Sequence, residues 1–530
     1  MVDYSLYLVT DSTPAILGDK DICDVVERAI RGGVTIVQYR DKTSDTGVLI
    51  STAKKLHEVT QRHNVPLLIN DRVDVALAVG CEGVHLGQDD MDIGTARKLL
   101  GSDKIVGIST NTVAEAVTAC EQGADYLGIG TIFSTQTKKN LRDIIGPEGA
   151  RHILLTLSEK GHGHVPTVSI GGINASNIPQ VMFRASPPEN PLDGVAVVSA
   201  IVAAQDPGAA SRELLGLVRG SLARRQRTRS GPSAAVGKED ILKLVPGAIK
   251  AVHEQKPLSH NMTNLVVQNF AANVALAIGA SPIMANYGEE AADLAKLGGA
   301  LVINMGTVTP EGLQNYEKAL RAYNAAGRPV IFDPVGAGAT AVRRAAVKSI
   351  LSAGHIDVIK GNESEIKTVY GSDDTGENQR GVDSSSTLGP AEKRQMVREL
   401  AAREEAVVVM TGRTDFVSDG ARTFEIGNGH EYLGAITGTG CTLGTTISAF
   451  VAAAAAAATS SDGDGDGDRL AAVVAGILLF EIAAEQAAGK SSVEGPGSFV
   501  PAFLDSLYQI RTGTAAGYIE WLAAERLSWE

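Results

Sequence analysis

The sequence predicts an α/β protein of two units, a (β/α)8 barrel followed by an open α/β sandwich. In the first 200 or so residues, short apolar runs alternate with helical patterns, as in a barrel. Residues 219–240 then lose all apolar periodicity and accumulate arginine, serine and glycine. Beyond them, apolar runs and helices resume in a different order. We therefore expect a barrel at 1–220, a linker at 221–238 and a second unit at 239–530.

The composition excludes several classes of protein. With 44% hydrophobic and 21% charged residues in 530, the chain is typical of globular proteins. A net charge of −13 argues against a nucleic-acid partner, which needs a basic surface. The four cysteines lack zinc-site or disulfide spacing, which suits a reducing compartment. No secretory pattern begins the chain, and the apolar stretches 446–458 and 471–480 fall short of about 20 residues. We expect a cytoplasmic protein without a membrane partner.

In the first unit, eight apolar runs are expected to form the barrel strands. Runs that are apolar throughout suit strands that are buried on both faces, as in a parallel sheet. Helical patterns at 24–33, 47–63 and 114–123 lie between them. The strands are expected at 6–10, 35–40, 66–70, 83–87, 104–110, 125–131, 167–172 and 194–200.

Polar residues follow these runs, where the catalytic groups of a barrel are found. Arg40, Lys42 and Lys138 are cations, and the carboxylates Asp71 and Asp90 are groups that Mg²⁺ accepts. Cations beside a metal site suit a pyrophosphate, and glycines after the seventh strand suit a second phosphate on backbone N–H groups. Taken singly, each residue has a plainer interpretation, such as a helix cap, a surface ion pair or a tight turn.

The motifs of this half resemble those of thiamine-phosphate synthase over nearly all of residues 4–205. They are QYRDK (38–42), IND (69–71), which ends in Asp71, GVHLGQDD (83–90), VGIST (106–110), STQTK (134–138), SIGGI (169–173) and VVSAI (197–201). The resemblance implies that hydroxymethylpyrimidine diphosphate loses pyrophosphate and is captured by the nitrogen of hydroxyethylthiazole phosphate.

The same resemblance implies which residues form the site. Mg²⁺ would lie on Asp71 and Asp90. The pyrimidine diphosphate would lie on Gln38, Tyr39, Arg40, Asp41, Lys42, Asn70, Ser109 and Lys138. The thiazole phosphate would lie on Thr135, Gln136, Thr137, Gly172, Val198 and Ser199.

In the second unit, the order of elements favours an open sandwich. An amphipathic helix is expected at 241–255 and a β-ribbon at 415–427. The polar stretches 371–390 and 459–468 are expected to be a disordered insertion and a solvated loop. Buried strands are expected at 300–307, 329–336, 357–362 and 406–412.

A glycine-rich stretch, GAITGTGCTLGTTISAF (434–450), opens an apolar helical pattern. Its glycines allow close approach of the backbone to a ligand, and the N–H groups of a helix start attract anions. Cys441 falls in the first turn, where the helix dipole is expected to lower the pKa of its thiol. Such a thiol can act as general base on a hydroxyl group. The alternative is a small buried cysteine behind a glycine turn.

The surrounding motifs resemble hydroxyethylthiazole kinase, of the ribokinase-like group, over roughly residues 241–510. They are HNMTNLVVQNFAANVALAIGASPIMA (260–285), DPVGAG (333–338), KGNESEI (360–366) and MTG (410–412). The resemblance implies ATP-dependent phosphorylation of the hydroxyethyl group, with Cys441 as base. It implies contacts to the thiazole from Met284 and Gly438, to ATP from Lys360, Thr411 and Asn362, and to Mg²⁺ from Glu365 and Asp333. Lys360 stands where bacterial members usually carry arginine, which keeps the charge without the bidentate geometry.

Together the two resemblances predict a bifunctional enzyme of thiamine biosynthesis, because the product of the second unit is a substrate of the first. Two alternatives stay open. One is a barrel isomerase or decarboxylase fused to a kinase of another small alcohol. The other is a metabolite-binding regulator with degenerate sites. The resemblance to the kinase also implies a homo-oligomer, a trimer or hexamer, with the site at a subunit interface.

Overall fold

The computed structural model describes residues 2–133, 144–187, 189–229, 237–371, 388–460 and 468–529. The chain divides into two compact units, Met1–Gln226 and Arg227–Glu530. The first unit is a closed barrel and the second is built on one mixed sheet, so the predicted fold class is confirmed for both.

Eight parallel strands close the barrel in sequence order, each bonded to the next and the eighth to the first. All eight fall within the predicted apolar runs, because strands buried on both faces leave a continuous apolar signal. They are β1 (Leu6–Val9), β2 (Ile36–Tyr39), β3 (Leu67–Asn70), β4 (Gly83–Leu86), β5 (Ile105–Thr110), β6 (Tyr126–Ile129), β7 (Thr167–Ile170) and β8 (Gly194–Val197).

Helices connect these strands, and the three predicted helical patterns are confirmed. Several begin at a side-chain cap, such as the capping box of Thr112 and Glu115. The described helices are α1 (Pro14–Leu17), α2 (Ile22–Arg31), α3 (Thr46–Arg62), α4 (Val73–Val79), α5 (Ile93–Leu100), α6 (Val113–Glu121), α7 (Gly146–Glu159), α8 (Ile178–Arg184), α9 (Ser199–Val202) and α10 (Pro207–Arg229).

The last of these helices overlaps the predicted linker. Helix α10 continues to Arg229, so the first nine positions of the 221–238 segment are helical. Leucine, alanine, arginine and glutamine are good helix formers, and they prolong a helix that Leu214, Leu215 and Val218 anchor in the core. The next helix begins at Lys238. Charge and missing periodicity therefore did not mark the end of the helix.

The second unit is organised on a nine-stranded sheet in the described residues, with the order β10-β9-β11-β12-β13-β14-β15-β16-β17. The pairs from β10 to β14 are parallel, and the last three pairs are antiparallel. The four predicted buried strands and the predicted ribbon are confirmed. The strands are β9 (Leu258–Met262), β10 (Ser281–Ile283), β11 (Ala300–Asn304), β12 (Val330–Asp333), β13 (Val358–Asn362), β14 (Val407–Thr411), β15 (Asp415–Ser418), β16 (Thr423–Ile426) and β17 (Leu527–Trp529).

Helices cover both faces of this sheet. Successive strand residues alternate between two cores, so Val302 packs under one layer of helices and Ile303 under the other. Helices α11, α12, α18, α19 and α20 contribute to the first core, and α13 to α17 to the second. The helices are α11 (Lys238–Gln255), α12 (Gln268–Ile278), α13 (Ala291–Lys296), α14 (Pro310–Ala325), α15 (Ala341–Ala353), α16 (Glu363–Tyr370), α17 (Pro390–Glu404), α18 (Thr439–Ser460), α19 (Arg469–Ala488) and α20 (Pro496–Ala515).

Helices α18 and α19 have the length and hydropathy of membrane-spanning segments, over Thr439–Ala457 and Arg469–Ala488. The expectation that apolar stretches here are too short is therefore wrong, because the helices extend past the strictly apolar residues. Their residues are 67% and 89% buried inside the unit, and they pack in its first core. They are core helices of the sandwich. The expected insertions, apart from their edges, lie outside the described residues.

Candidate active sites

A cavity of about 490 Å³ opens at the C-terminal ends of the barrel strands. Its walls come from distant parts of the sequence, because parallel strands of a closed barrel all end on one face. The ring of polar strand ends seen in the sequence is thus brought together. The predicted residues that line this cavity are Gln38, Arg40, Lys42, Asn70, Asp71, Asp90, Ser109, Gly172, Val198 and Ser199.

Two predicted residues of the β2 end do not line the cavity. Tyr39 packs in the core between strands and helices, because successive strand residues face opposite sides. Asp41 accepts hydrogen bonds from the backbone N–H groups of Thr43 and Ser44, at 2.9 and 3.1 Å, and so shapes the turn. Burial opposes this, but the hydrogen bonds keep the pKa of Asp41 below its ordinary value. The remaining predicted contacts, Thr135, Gln136, Thr137 and Lys138, lie outside the described residues.

The cation of Arg40 is held by a carboxylate that the sequence analysis missed. Arg40 Nη1 lies 3.1 Å from Oδ2 of Asp11, whose side chain is almost fully buried. The Thr10 hydroxyl accepts a hydrogen bond of 2.9 Å from the Arg40 backbone N–H. Both residues follow β1, which is the one strand end left without a role in the sequence analysis. Their position after LYLV was the signal that would have identified them.

Asp71 and Asp90 lie together, with the Lys42 ammonium 3.0 Å from Asp71 Oδ2. Burial raises the pKa of Asp90, and the adjacent Asp71 raises it further, while the Gly87 N–H, 2.7 Å from Asp90 Oδ2, lowers it. Two adjacent carboxylates, one of which raises the pKa of the other, fit a divalent cation. Among the described residues, no group of three or more acidic, histidine or cysteine side chains has metal-site geometry.

The far wall of the cavity is built from the turns after β7 and β8. Gly171 and Gly172 have φ of 105° and 66°, a left-handed backbone that favours glycine. A Cβ on Gly171 would lie 2.6 Å from Thr131 Cγ2, so the turn also needs the missing side chain. The Asn177 amide donates a hydrogen bond of 2.9 Å to the Gly172 carbonyl and holds the loop. Ser199 begins α9 on the same wall.

The second site centres on a buried ion pair at the carboxyl ends of the parallel strands. Lys360 Nζ lies 3.2 Å from Asp333 Oδ1, and the Asn304 amide donates a 2.9 Å hydrogen bond to Asp333 Oδ2. Burial raises the pKa of Asp333, against the effect of Lys360. Burial lowers the pKa of Lys360, but Asp333, Cys441 and Glu365 outweigh it, so the net shift is upward. Asn304, at the end of β11, was missed because no motif contains it.

Glu365 belongs to the same group. It completes a capping box with Asn362 at the start of α16, and its Oε1 accepts a 2.8 Å hydrogen bond from the Gly336 N–H. Burial and Asp333 raise the pKa of Glu365 to about 7, against Lys360. Thr411 at the end of β14 pairs with Asn362 at the end of β13. The predicted ATP contacts therefore lie next to each other at the C-terminal ends of these two strands.

Cys441 lies in the first turn of α18, as expected, but its thiol behaves differently from the expectation. Burial and the Asp333 carboxylate raise the pKa of Cys441 to about 11, while Lys360 and Asn304 lower it. The predicted lowering of this pKa is therefore wrong, because desolvation and a neighbouring carboxylate outweigh the helix start. The first turns of α18 adjoin the ion pair: a Cβ on Gly440 would lie 3.7 Å from Lys360 Nζ.

The two predicted thiazole contacts flank the sheet. Met284 directly follows β10, where the Ala285 carbonyl lies 2.9 Å from Nε2 of the buried His260. Gly438 directly precedes α18 with φ of 93°, and a Cβ there would lie 2.5 Å from Val267 Cγ2. A glycine is thus required where the chain passes the loop after β9.

Comparisons with known proteins match the two units to two different families. The thiamine monophosphate synthase family matches residues 6–201, and the hydroxyethylthiazole kinase family matches residues 249–513. A probable thiamine biosynthetic bifunctional enzyme of Schizosaccharomyces pombe is 40% identical over 99% of this chain and 98% of its own. The thiamine biosynthetic bifunctional enzyme of Saccharomyces cerevisiae is 37% identical over 96% of each chain. A hydroxyethylthiazole kinase of Moorella thermoacetica is 44% identical over 49% of this chain and 90% of its own.

Each half of the chain thus matches one family along nearly the whole length of its folded unit, and the bifunctional relatives match both halves in the same order. The chain therefore belongs to the thiamine biosynthetic bifunctional enzymes, with a thiamine-phosphate synthase barrel followed by a hydroxyethylthiazole kinase of the ribokinase-like fold.

Proposed function

We propose that the second unit transfers a phosphoryl group from ATP to the hydroxyl of hydroxyethylthiazole, and that the barrel joins the product to hydroxymethylpyrimidine diphosphate. The observation that carries this proposal is the pair of charge arrangements at the two sites. One cavity gathers cations around two adjacent carboxylates, as a diphosphate with its metal requires. In the second site, the buried Lys360 lies next to the first turn of α18, which follows a glycine-rich loop. A lysine beside the N–H groups of a helix start suits a transferring phosphoryl group.

In the barrel, Arg40 and Lys42 bind the diphosphate, and Lys138 adds a third cation. The bond from the pyrimidine methylene carbon to the diphosphate oxygen breaks, and its electron pair leaves with pyrophosphate. The thiazole nitrogen then donates its lone pair to the carbon. Asp71 and Asp90 would hold Mg²⁺, which would neutralise the leaving group. Gly172, Val198 and Ser199 hold the thiazole phosphate, and the resemblance to thiamine-phosphate synthase adds Thr135, Gln136 and Thr137 to its contacts.

In the kinase unit, Met284 and Gly438 bind the thiazole, and Cys441 is the base for the substrate hydroxyl. Its oxygen attacks the terminal phosphorus of ATP while its proton passes to the Cys441 thiolate, and ADP leaves. Lys360, Asn362 and Thr411 hold the ATP phosphates. Asp333 and Glu365 would hold Mg²⁺, which would offset the phosphate charge. Because the pKa of Cys441 is about 11, the thiolate is a minor form at neutral pH.

We also propose a homo-oligomeric, cytoplasmic enzyme, a trimer or hexamer. The loop after β9 exposes 82% of Leu265 and 76% of Val266, directly beside the Val267 that contacts Gly438. Two exposed aliphatic side chains at a site suit burial against a second copy. Light scattering of the wild type and of a Leu265→Ser, Val266→Ser variant measures this. A monomeric wild type would contradict it.

The test of the two-step proposal is one reaction with thiazole alcohol, ATP, Mg²⁺ and pyrimidine diphosphate, assayed for thiamine phosphate. Cys441→Ala should reduce the flux strongly, and added thiazole phosphate should restore it. A kinase of another alcohol would leave the thiazole alcohol unconsumed. A metabolite-binding regulator would bind the ligands in calorimetry without turnover.

A further inference from the structure

A chain of side-chain hydrogen bonds runs through the inside of the barrel beneath the cavity. Gln38 Nε2 lies 2.8 Å from Tyr7 Oη, which lies 2.7 Å from Tyr126 Oη. Tyr126 Oη lies 2.6 Å from His85 Nδ1, and His85 Nε2 lies 2.8 Å from Ser109 Oγ. The chain therefore connects two residues of the proposed pyrimidine site. Tyr126 is the member that does not line the cavity.

The direction of every hydrogen bond in this chain follows from its first member. The amide nitrogen of Gln38 only donates, so Tyr7 accepts there. Among the described residues, the remaining hydrogen-bond partner of the Tyr7 hydroxyl is Tyr126, so Tyr7 gives its own hydrogen to Tyr126. Tyr126 then donates to Nδ1 of His85, which must be unprotonated. The hydrogen of the imidazole is therefore on Nε2, where it is donated to Ser109. Burial raises the pKa of both phenols far above neutrality, so they keep their hydrogens.

This direction decides what the cavity offers a ligand. In the described part of the chain, the Gln38 side chain makes one hydrogen bond, through its nitrogen, so its oxygen is left as an acceptor. Ser109 accepts from His85, so its own hydrogen is left as a donor. An acceptor and a donor that line the same cavity match a ring that carries an amino group next to a ring nitrogen. They mismatch a ring whose amino group is replaced by a carbonyl, with a neighbouring N–H.

Glycines hold the rings of this chain in place. A Cβ on Gly107 would lie 2.0 Å from Tyr126 Cε1, and one on Gly128 would lie 3.2 Å from His85 Cε1. The strands β5 and β6 therefore carry no side chain where the two rings lie. The Tyr4 ring also packs on Tyr126, with 4.9 Å between ring centroids. The geometry of the chain is thus fixed by packing before any ligand binds.

We propose that Tyr126 and His85 are positioning residues that select an aminopyrimidine, by fixing Gln38 as an acceptor and Ser109 as a donor. The inference rests on the proposed synthase activity of the barrel. Without the Tyr126 hydroxyl, the two halves of the chain lose their connection. Gln38 can then rotate its amide, and His85 can change tautomer, so the site accepts either pattern.

The test is Tyr126→Phe in the full chain, with two substrates: the aminopyrimidine diphosphate and its analogue with a carbonyl in place of the amino group. The measured quantity is the ratio of the two kcat/KM values. When this ratio is compared between Tyr126→Phe and the wild type, the intrinsic reactivities of the two substrates cancel. Sites that hydrogen-bond a polar group reject the wrong analogue strongly. We expect Tyr126→Phe to reduce this ratio, and with it the discrimination between the substrates, at least ~10-fold. An unchanged ratio would overturn the proposal.

Two controls separate this effect from damage to the fold. Tyr4→Phe removes a hydroxyl from the ring packed against Tyr126 but leaves the chain intact, so the ratio should stay at the wild-type value. Pyrophosphate with Mg²⁺ binds through Arg40 and Lys42, which do not belong to the chain of hydrogen bonds. Calorimetry should therefore give the same pyrophosphate affinity for Tyr126→Phe as for the wild type. If Tyr4→Phe lowers the ratio as much as Tyr126→Phe, packing rather than the hydrogen bond is responsible and the proposal fails.

A second measurement needs no turnover. An ionised glutamate at position 38 only accepts hydrogen bonds. Gln38→Glu should therefore reverse the donor and acceptor roles along the hydrogen bonds and move the imidazole hydrogen of His85 from Nε2 to Nδ1. Nitrogen NMR of histidine-labelled full chain distinguishes protonated from unprotonated ring nitrogens, and His85→Gln identifies the signal. The same tautomer in both proteins would overturn the proposal. A wild type that makes no thiamine phosphate while His85 shows the expected tautomer would instead contradict the synthase activity.

Discussion

Each unit carries a lysine–aspartate pair at its site, and the two pairs differ in burial. The side chains of Lys42 and Asp71 in the barrel are 54% and 23% exposed, whereas those of Lys360 and Asp333 in the kinase unit are 4% and 1% exposed. An exposed pair exchanges its partners for a ligand at little cost. A buried pair holds its partners permanently, because either charge alone would be strongly destabilised. The Lys42–Asp71 pair of the barrel can therefore change partners when a ligand binds, whereas the Lys360–Asp333 pair of the kinase unit is fixed beforehand.

The sharpest way to break this contrast is to remove each lysine. Lys360→Ala leaves Asp333 buried without its partner, and we expect a loss of about 3–5 kcal/mol in the unfolding free energy of the second unit. Lys42→Ala should cost less than about 1 kcal/mol in the first unit. Denaturant titration, followed by kinase and synthase activity, measures both. Equal losses would show that burial does not distinguish the two pairs.

Arg40 tests the claim that the barrel site depends on ligand-facing cations. Arg40→Ala should lower the kcat/KM of the synthase by about 10²–10³, because a charge that stabilises the leaving group is lost. Asp71→Ala should block synthesis as well, even with thiazole phosphate supplied. Arg72→Ala is the matched control, since Arg72 pairs with Asp74 at 2.8 Å and does not line the cavity. A similar loss in Arg72→Ala would point to general damage.

The buried kinase site should reveal itself in its pH dependence. A base must be unprotonated to act, and the pKa of Cys441 is raised to about 11, so its thiolate fraction falls about tenfold for each pH unit below that. The kinase rate should therefore rise with pH through the neutral range. In Cys441→Asp the base titrates several units lower, so the profile should flatten. Parallel profiles for both proteins would exclude Cys441 as the base.

The smallest effect on either activity is expected from a change in the segment that connects the two units. Because α10 continues to Arg229 and α11 begins at Lys238, the segment to exchange is 230–236 rather than all of the predicted linker. A neutral flexible replacement of the same length should leave both activities within about twofold of the wild type, since no site residue lies there. A large loss in either activity would assign the segment a role beyond connection.

Much of this fold was predictable from the sequence, for a physical reason. Strands buried on both faces leave continuous apolar runs, so β1 to β8 and β11 to β14 were found. Strand β9 was missed because Ser259, His260 and Asn261 are polar and yet fully buried. Their partners, such as Ser448 and Thr445, lie on a helix nearly two hundred residues away.

The candidate sites show the same limit. The order of residues after strands identified Gln38, Arg40 and Lys42, because a closed barrel brings all strand ends to one face. The same order did not show that Tyr39 lies on the other face of the strand, away from the cavity. Nor did the motif around Cys441 predict a raised pKa, because burial and Asp333 depend on tertiary packing.

The central claim is that two separate sites act in sequence. The most direct measurement mixes two inactive proteins, Cys441→Ala and Arg40→Ala, with thiazole alcohol, ATP, Mg²⁺ and pyrimidine diphosphate. Each protein alone should make little thiamine phosphate. The mixture should regain flux, because thiazole phosphate made by Arg40→Ala reaches the intact barrel of Cys441→Ala. If the mixture stays inactive while added thiazole phosphate is still converted by Cys441→Ala, the kinase step assigned to the second unit is contradicted.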